Sequence, residues 1–240
     1  MNEHVVLGRW NQRRLNNLLH EASETRGAGE RIGFISRHFL NTPYKESTLI
    51  GGINTSEVLV INLEAMDCFT FIEYIEAMRL SRSFNEFMDN LKRVRYKGGI
   101  VSFTRRNHFF TDWIEFNADL LLDVTEKIGK AVEVTKTLNL KEDGTSLLQG
   151  IRPVRRMIKY IPKENFNDSL YKRVQTGDYV GIYSPEKGLD VSHVGIIIKE
   201  RALIYLRHAS SKKAMVVDED FKEYISNKPG LIILRPKDLT

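Results

Sequence analysis

The sequence predicts an α+β fold in which helices from the first part of the chain pack on an antiparallel sheet built from the last part. Two observations carry this. Apolar residues recur at three- and four-residue spacing up to about residue 97, and short β-branched and aromatic runs divided by turn residues take over after about 166. The late runs are also joined by short connections, which favour an antiparallel meander over crossovers. Helices first and strands afterwards is the α+β order.

Residues 9–23 read as a helix with Trp10, Leu15, Leu18, Leu19 and Ala22 on one side. Thr25 to Gly29 breaks it, and a second helix is predicted over about 30–40, stopped by Asn41-Thr42-Pro43. Glu57 to Asn62 is a short apolar stretch, extended or buried in a loop. The clearest helix begins near Asp67 and runs to Met78, with Cys68, Phe71, Ile72, Ile75 and Met78 in helical register. Ser83 and Glu86 have capping-box spacing and open a further helix, with Phe84, Phe87, Met88, Leu91 and Val94 inward. Strands are predicted over 177–183, 192–199, 202–209 and 231–235. The middle, 98–165, reads as an insertion with a strand near 99–104, a polar and aromatic segment at 105–113, and mixed strand and turn signals to Pro162. Without repeats or a low-complexity linker, residues 1–240 are expected to form one catalytic domain: a helical part (1–97), this elaborated middle (98–165) and a sheet core (166–240).

Composition narrows the class. The 240 residues are 42% hydrophobic and 28% charged, as in a globular protein able to bury a core without disulfides. The single cysteine excludes an intrachain disulfide. No apolar run is long enough to span a membrane, and Met-Asn-Glu-His-Val-Val-Leu-Gly-Arg-Trp lacks a signal-peptide pattern. The net charge of +5 favours anionic partners such as nucleic acid, acidic lipid or cell-wall polymer. The clusters Lys92–Lys97, Arg105-Arg106 and Arg152/Arg155/Arg156/Lys159 read as solvated faces, and no nucleic-acid motif accompanies them.

Three residues could do nucleophilic chemistry. Cys68 sits at the start of a helix, where unpaired N–H groups and the dipole favour a negative sulfur; the alternative is an inert buried thiol. His193 opens an apolar strand, where an imidazole adds little packing, and Gly195 leaves room for another group on that face. His208 ends the next strand. Neighbouring antiparallel strands can set the two rings side by side, one as base and the other fixing its tautomer; two strand-end histidines with satisfied hydrogen bonds are the alternative. His108, His193 and His208 are also enough imidazoles in number for zinc, but no H-E-x-x-H spacing is present.

Asp67-Cys68, Thr176-Gly177-Asp178, Ser192-His193-Val194-Gly195-Ile196 and His208-Ala209-Ser210 together resemble the NlpC/P60 superfamily of cell-wall cysteine peptidases. Asn41-Thr42-Pro43-Tyr44, Met66 to Glu73 and Arg106 to Trp113 narrow the resemblance to its DUF1460 branch, from about residue 40 to 235. The resemblance implies a papain-like fold, a Cys68–His193–His208 triad, no cofactor, no metal and export to where peptidoglycan lies. It implies N-acetylmuramoyl-L-alanine amidase activity on peptidoglycan or muropeptides. The alternatives are a γ-D-glutamyl-diaminopimelate endopeptidase of the same mechanism and a non-catalytic glycopeptide-binding relative. Phe69-Thr70-Phe71 and the separation of 125 positions from Cys68 to His193 depart from the minimal members and suit the larger branch.

For substrate binding, Arg106 to Trp113 is expected to line the cleft. Trp113 would stack on a sugar, Arg106 would hold a carboxylate in a fork, and Asn107, His108 and Asp112 would bind acetamido or peptide groups. Asp67, Tyr44, Tyr96 and Ser192 complete the predicted set.

Overall fold

A computed structural model of the chain describes residues 3–238. Strand β1 (Glu3–Val6) pairs in parallel with β2 (Leu59–Asn62). Between them lie helices α1 (Gln12–Ser23) and α2 (Ala28–Arg37). Asn11 caps α1 by accepting the Arg14 N–H, and its buried stripe is Leu15, Leu18, Leu19 and Ala22, as the spacing predicts. Helices α3 (Cys68–Arg79) and α4 (Phe84–Arg95) follow. Ser83 caps α4 by accepting the Glu86 N–H, while the Glu86 carboxylate reaches one residue further back, to the N–H of Arg82.

Helix α3 is not the one-sided amphipathic helix of the surface type. Phe71 through Arg79 are all buried, charged residues included. Those charges are paired internally: Glu73 with Arg95 (2.7 Å), and Glu76 with Arg79 and the Tyr179 hydroxyl (2.8 Å). Buried charges demand such partners, because an unpaired one is costly to desolvate. They hold α3 to α4 and to the sheet. Arg95 therefore lies inside the molecule and not on the solvated face its basic cluster suggested.

The middle of the chain departs most from expectation. No strand forms at 99–104. Gly98 and Gly99 adopt positive φ, and a Tyr96–Arg106 bridge closes a loop of short 3-10 turns. Helix α5 (Phe110–Phe116), strand β3 (Leu121–Asp123), the single turn α6 (Thr125–Ile128) and the long hairpin of β4 (Val132–Leu138) and β5 (Val154–Pro162) come next. Helix α7 (Asp168–Arg173) leads into the meander β6 (Tyr179–Tyr183), β7 (Val191–Glu200), β8 (Leu203–Ser210) and β9 (Met215–Asp220). Helix α8 (Phe221–Ile225) and strand β10 (Gly230–Pro236) close the chain.

One sheet in the order β4-β5-β10-β6-β7-β8-β9, with β3 also on β10, carries all the later strands, and every pairing is antiparallel. Strands β3, β4 and β5 of the middle are thus continuous with the sheet. Strand alternation divides the core in two. Val194, Ile196 and Ile198 of β7 join the cluster containing α3, while Ile197 joins the cluster beneath α7 and α8. The Thr176-Gly177-Asp178 turn packs against α2. Gly177 has φ +89°, and a Cβ there would sit 2.5 Å from Gly29 Cα. Asp178 is fully buried, accepts the Gln175 N–H and binds Arg235 through both oxygens, so it anchors the turn to β10.

Candidate active site

Cys68 is the first residue of α3. Asp67 precedes it in extended conformation, and its Oδ1 accepts the N–H groups of Phe69 (3.0 Å) and Thr70 (2.8 Å). Thr70 Oγ1 accepts the Asp67 N–H in return (3.0 Å), closing a reciprocal cap. One Asp67 oxygen, predicted to touch substrate, is thereby committed to the helix. The cap fixes the direction in which α3 begins, and with it the thiol. The backbone N–H groups of Val194, Cys68 and Phe69 face the sulfur. Val194 follows His193 directly, so the backbone of β7 meets the start of α3 one residue past the imidazole.

A bulge precedes that imidazole. Ile182 of β6 opposes His193, yet Tyr183 opposes Val191, leaving Ser192 as the extra, exposed residue. His193 then lies on the face of β7 shared with Gly195. His193 Nε2 is 2.7 Å from His208 Nδ1, and the rings meet edge to face at 88°. Gly195 makes this possible: a Cβ at that position would lie 2.7 Å from Leu206 Cδ1 and 3.0 Å from His208 Cβ. The expectation that Gly195 clears space for a neighbour is met, and the neighbour is His208.

Two participants have no counterpart in the sequence reading. Glu219 of β9 places Oε2 2.8 Å from His208 Nε2. Tyr224 of α8 packs its ring 5.0 Å from that of His208 and 6.2 Å from that of His193. Strand β9 was not predicted, so the acidic run Asp218-Glu219-Asp220 had no partner in view. Once the β8–β9 register is known, residues 206 and 208 share a face with 217 and 219, and Glu219 falls diagonally across from His208.

The electrostatics favour a neutral pair. Burial, with Asp67 adding to it, pushes the Cys68 thiol up to about 12 against the pull of the surrounding N–H groups. Burial, with His208 and Lys228 nearby, pushes His193 down to about 3. Burial also lowers His208, opposed by the Glu219 carboxylate.

The predicted binding residues separate into two groups. Tyr44 is half-buried near Cys68 and Asp67, and Ser192 is exposed beside His193. The 106–113 segment does other work. Trp113 is fully buried, edge-on to Tyr179, and offers no face to a sugar. Arg106 does form the expected fork, but on Glu57 of the same chain (Nε to Oε1 2.9 Å, Nη2 to Oε2 2.6 Å), which also accepts the hydroxyl of the buried Tyr96 (2.8 Å). Asn107 is buried and donates to Val94 O, Asp112 is buried against Arg156 and Lys97, and His108 bonds Phe103 O at 2.7 Å. Aromatic and polar residues together signal a binding cleft and a packed corner equally well; here they build the corner that seats α5. His108 is therefore spent on a carbonyl, apart from the histidine pair. Among the described residues no group of three or more His, Cys, Asp or Glu is arranged to hold a metal, and no helix is long and apolar enough to cross a membrane.

A capped helix bearing a cysteine at its start, laid on an antiparallel sheet that carries paired histidines, is an α+β fold of the papain-like class. Within that class the chain belongs to the AmiA-like family, whose N-acetylmuramoyl-L-alanine amidase-like model matches residues 34–231. Membership makes it an amidase-like cell-wall hydrolase with a peptidoglycan-type substrate. Among solved structures it is similar to a DUF1460-family protein of Legionella pneumophila (24% identity, 95% of this chain and 94% of that one, TM-score 0.81). It is also similar to an N-acetylmuramoyl-L-alanine amidase of Bacteroides uniformis, in one crystal structure at 24% identity (94% and 100% covered, TM-score 0.69) and in another at 26% (85% and 97%, TM-score 0.65). No curated protein matches.

Proposed function

We propose that the protein cleaves the amide between the lactyl group of N-acetylmuramic acid and L-alanine by a cysteine mechanism. The observation that carries this is the direct hydrogen bond between two imidazoles, one of them next in sequence to the N–H that faces Cys68 Sγ. His193 Nε2 is engaged by His208, so Nδ1 is the nitrogen left to act on the thiol.

In this reading Cys68 loses its proton to His193 Nδ1 as sulfur attacks the lactyl carbonyl carbon. The proton moves during attack, in keeping with a resting thiol and a neutral imidazole. The Cys68 N–H, one of the first-turn donors of α3, stabilises the oxyanion. The Phe69 N–H is already given to Asp67. The imidazolium returns its proton to the departing L-alanine nitrogen, the C–N bond breaks and a thioester remains. Water, deprotonated by His193, attacks the thioester, which releases the muramic carboxylate and restores the thiol. No cofactor enters. Tyr44 and Ser192, the accessible members of the predicted set nearest Cys68 and His193, contact the substrate at the rim.

Incubation with a defined muropeptide, followed by mass analysis, tests the bond. Release of an intact stem peptide beginning at L-alanine is expected. A cut between D-glutamate and diaminopimelate would keep the mechanism and replace the bond, and binding without turnover would replace the enzyme with a glycopeptide-binding protein.

A further inference from the structure

Resting on the cysteine reading above, we infer that Glu219 is a positioning residue that fixes the tautomers of both histidines and so leaves a lone pair on His193 for the thiol. A carboxylate only accepts hydrogen bonds, whereas each neutral imidazole has one donor and one acceptor nitrogen. Two hydrogen-bonded imidazoles alone admit two arrangements, one with protons on Nε2 of His193 and His208 and one with the roles reversed. Glu219 breaks the tie. Its Oε2, 2.8 Å from His208 Nε2, requires a proton there. Neutral His208 must then accept at Nδ1, so His193 Nε2, 2.7 Å away, donates and carries its own proton. His193 Nδ1 is left unprotonated.

The fold holds this relay rigidly. His193, His208 and Glu219 come from three consecutive strands, β7, β8 and β9, whose pairing sets their separations. Gly195 admits the close approach, and Tyr224 covers the two rings. On the opposite face Asp218 grips Arg207 through both oxygens (2.8 and 2.6 Å), and Arg207 in turn donates to Gly33 O and Ser36 Oγ of α2. That pair pins the β8–β9 register independently of Glu219, so replacing Glu219 should leave the strands in place.

The test compares wild type with Glu219→Ala and Glu219→Gln on two readouts. Long-range proton–nitrogen spectra of ¹⁵N-histidine protein at neutral pH report which ring nitrogen is protonated. Muropeptide turnover reports kcat and KM. The wild type should show both rings protonated at Nε2. Glu219→Ala should mix the tautomers of both His208 and His193, with kcat lowered at least about tenfold and KM unchanged, since lost orientation weakens general-base catalysis. Glu219→Gln, whose amide oxygen can still accept, should fall between the two. Thermal unfolding near the wild-type midpoint qualifies a variant. Unchanged His193 nitrogen signals in both variants would overturn the inference, as would a kcat loss without a tautomer change. Full turnover by Cys68→Ala would instead remove the cysteine reading, while the nitrogen spectra would still decide what Glu219 does to the rings.

Discussion

His193 Nε2 and His208 Nδ1 stand 2.7 Å apart on adjacent strands, and a glycine between them, Gly195, is what permits it. Gly195→Ala would force a methyl to 2.7 Å from Leu206 Cδ1 and 3.0 Å from His208 Cβ. Overpacking of this kind costs about 1–3 kcal/mol. The expected outcome is a modest loss of stability in urea with a larger loss of kcat, because His208 must move. Equal kcat for the two proteins would show that His208 does not orient the base.

The resting pair has a pH signature. With the thiol pushed up to about 12 and His193 down to about 3, both are neutral near pH 7. The rate of Cys68 alkylation by iodoacetamide should therefore climb steadily from pH 6 to pH 10. A plateau beginning in the acid range would indicate a preformed thiolate–imidazolium pair.

Stability should follow the same groups. The folded state depresses the His193 pKa, so between its folded and unfolded values the unfolded chain binds more protons and stability rises with pH. His108, lowered to about 4, acts in the same direction. The acid limb of a Tm–pH curve should flatten in His193→Gln, and a curve unchanged from wild type would contradict the depressed value.

Between α3 and α4 the buried Glu73–Arg95 pair is a structural clamp, with Arg95 also donating to Val60 O at 2.7 Å. Arg95→Met leaves Glu73 unpaired in the core and should cost about 3–5 kcal/mol in urea unfolding. Pairing it with Glu73→Leu should recover much of the loss. No recovery in the double variant would show that the pair's charges are not the source.

Trp113 and Arg106 should behave as packing residues. Trp113→Phe and Arg106→Ala are expected to lower Tm and leave KM for muropeptide unchanged. A raised KM at unchanged stability would return the 106–113 segment to the substrate cleft.

What the sequence made legible follows from what is local. Cys68 at a helix start and His193 and His208 on short strands are read from periodicity and turn spacing, and the structure has a helix beginning at Cys68 and strands running through both histidines. The polar and aromatic corner was harder, because burial of Trp113, Asn107 and Asp112 depends on partners far away in the chain, such as Arg156 for Asp112. Strand β9 ends in the acidic run Asp218-Glu219-Asp220 and has no apolar alternation of its own to mark it, which hid Glu219. The hairpin of β4 and β5 carries exposed polar residues along its outer length, so its membership of the main sheet is decided by the docking of Ile161 and Pro162 onto β10.

Everything proposed for the site turns on Cys68 as the nucleophile. The most direct measurement is turnover of a defined muropeptide by wild type and Cys68→Ala, with intact-protein mass recorded during the reaction. Stem-peptide release by the wild type alone is expected, with an acyl adduct on Cys68 under rapid quench. Release at the same rate by Cys68→Ala would contradict it.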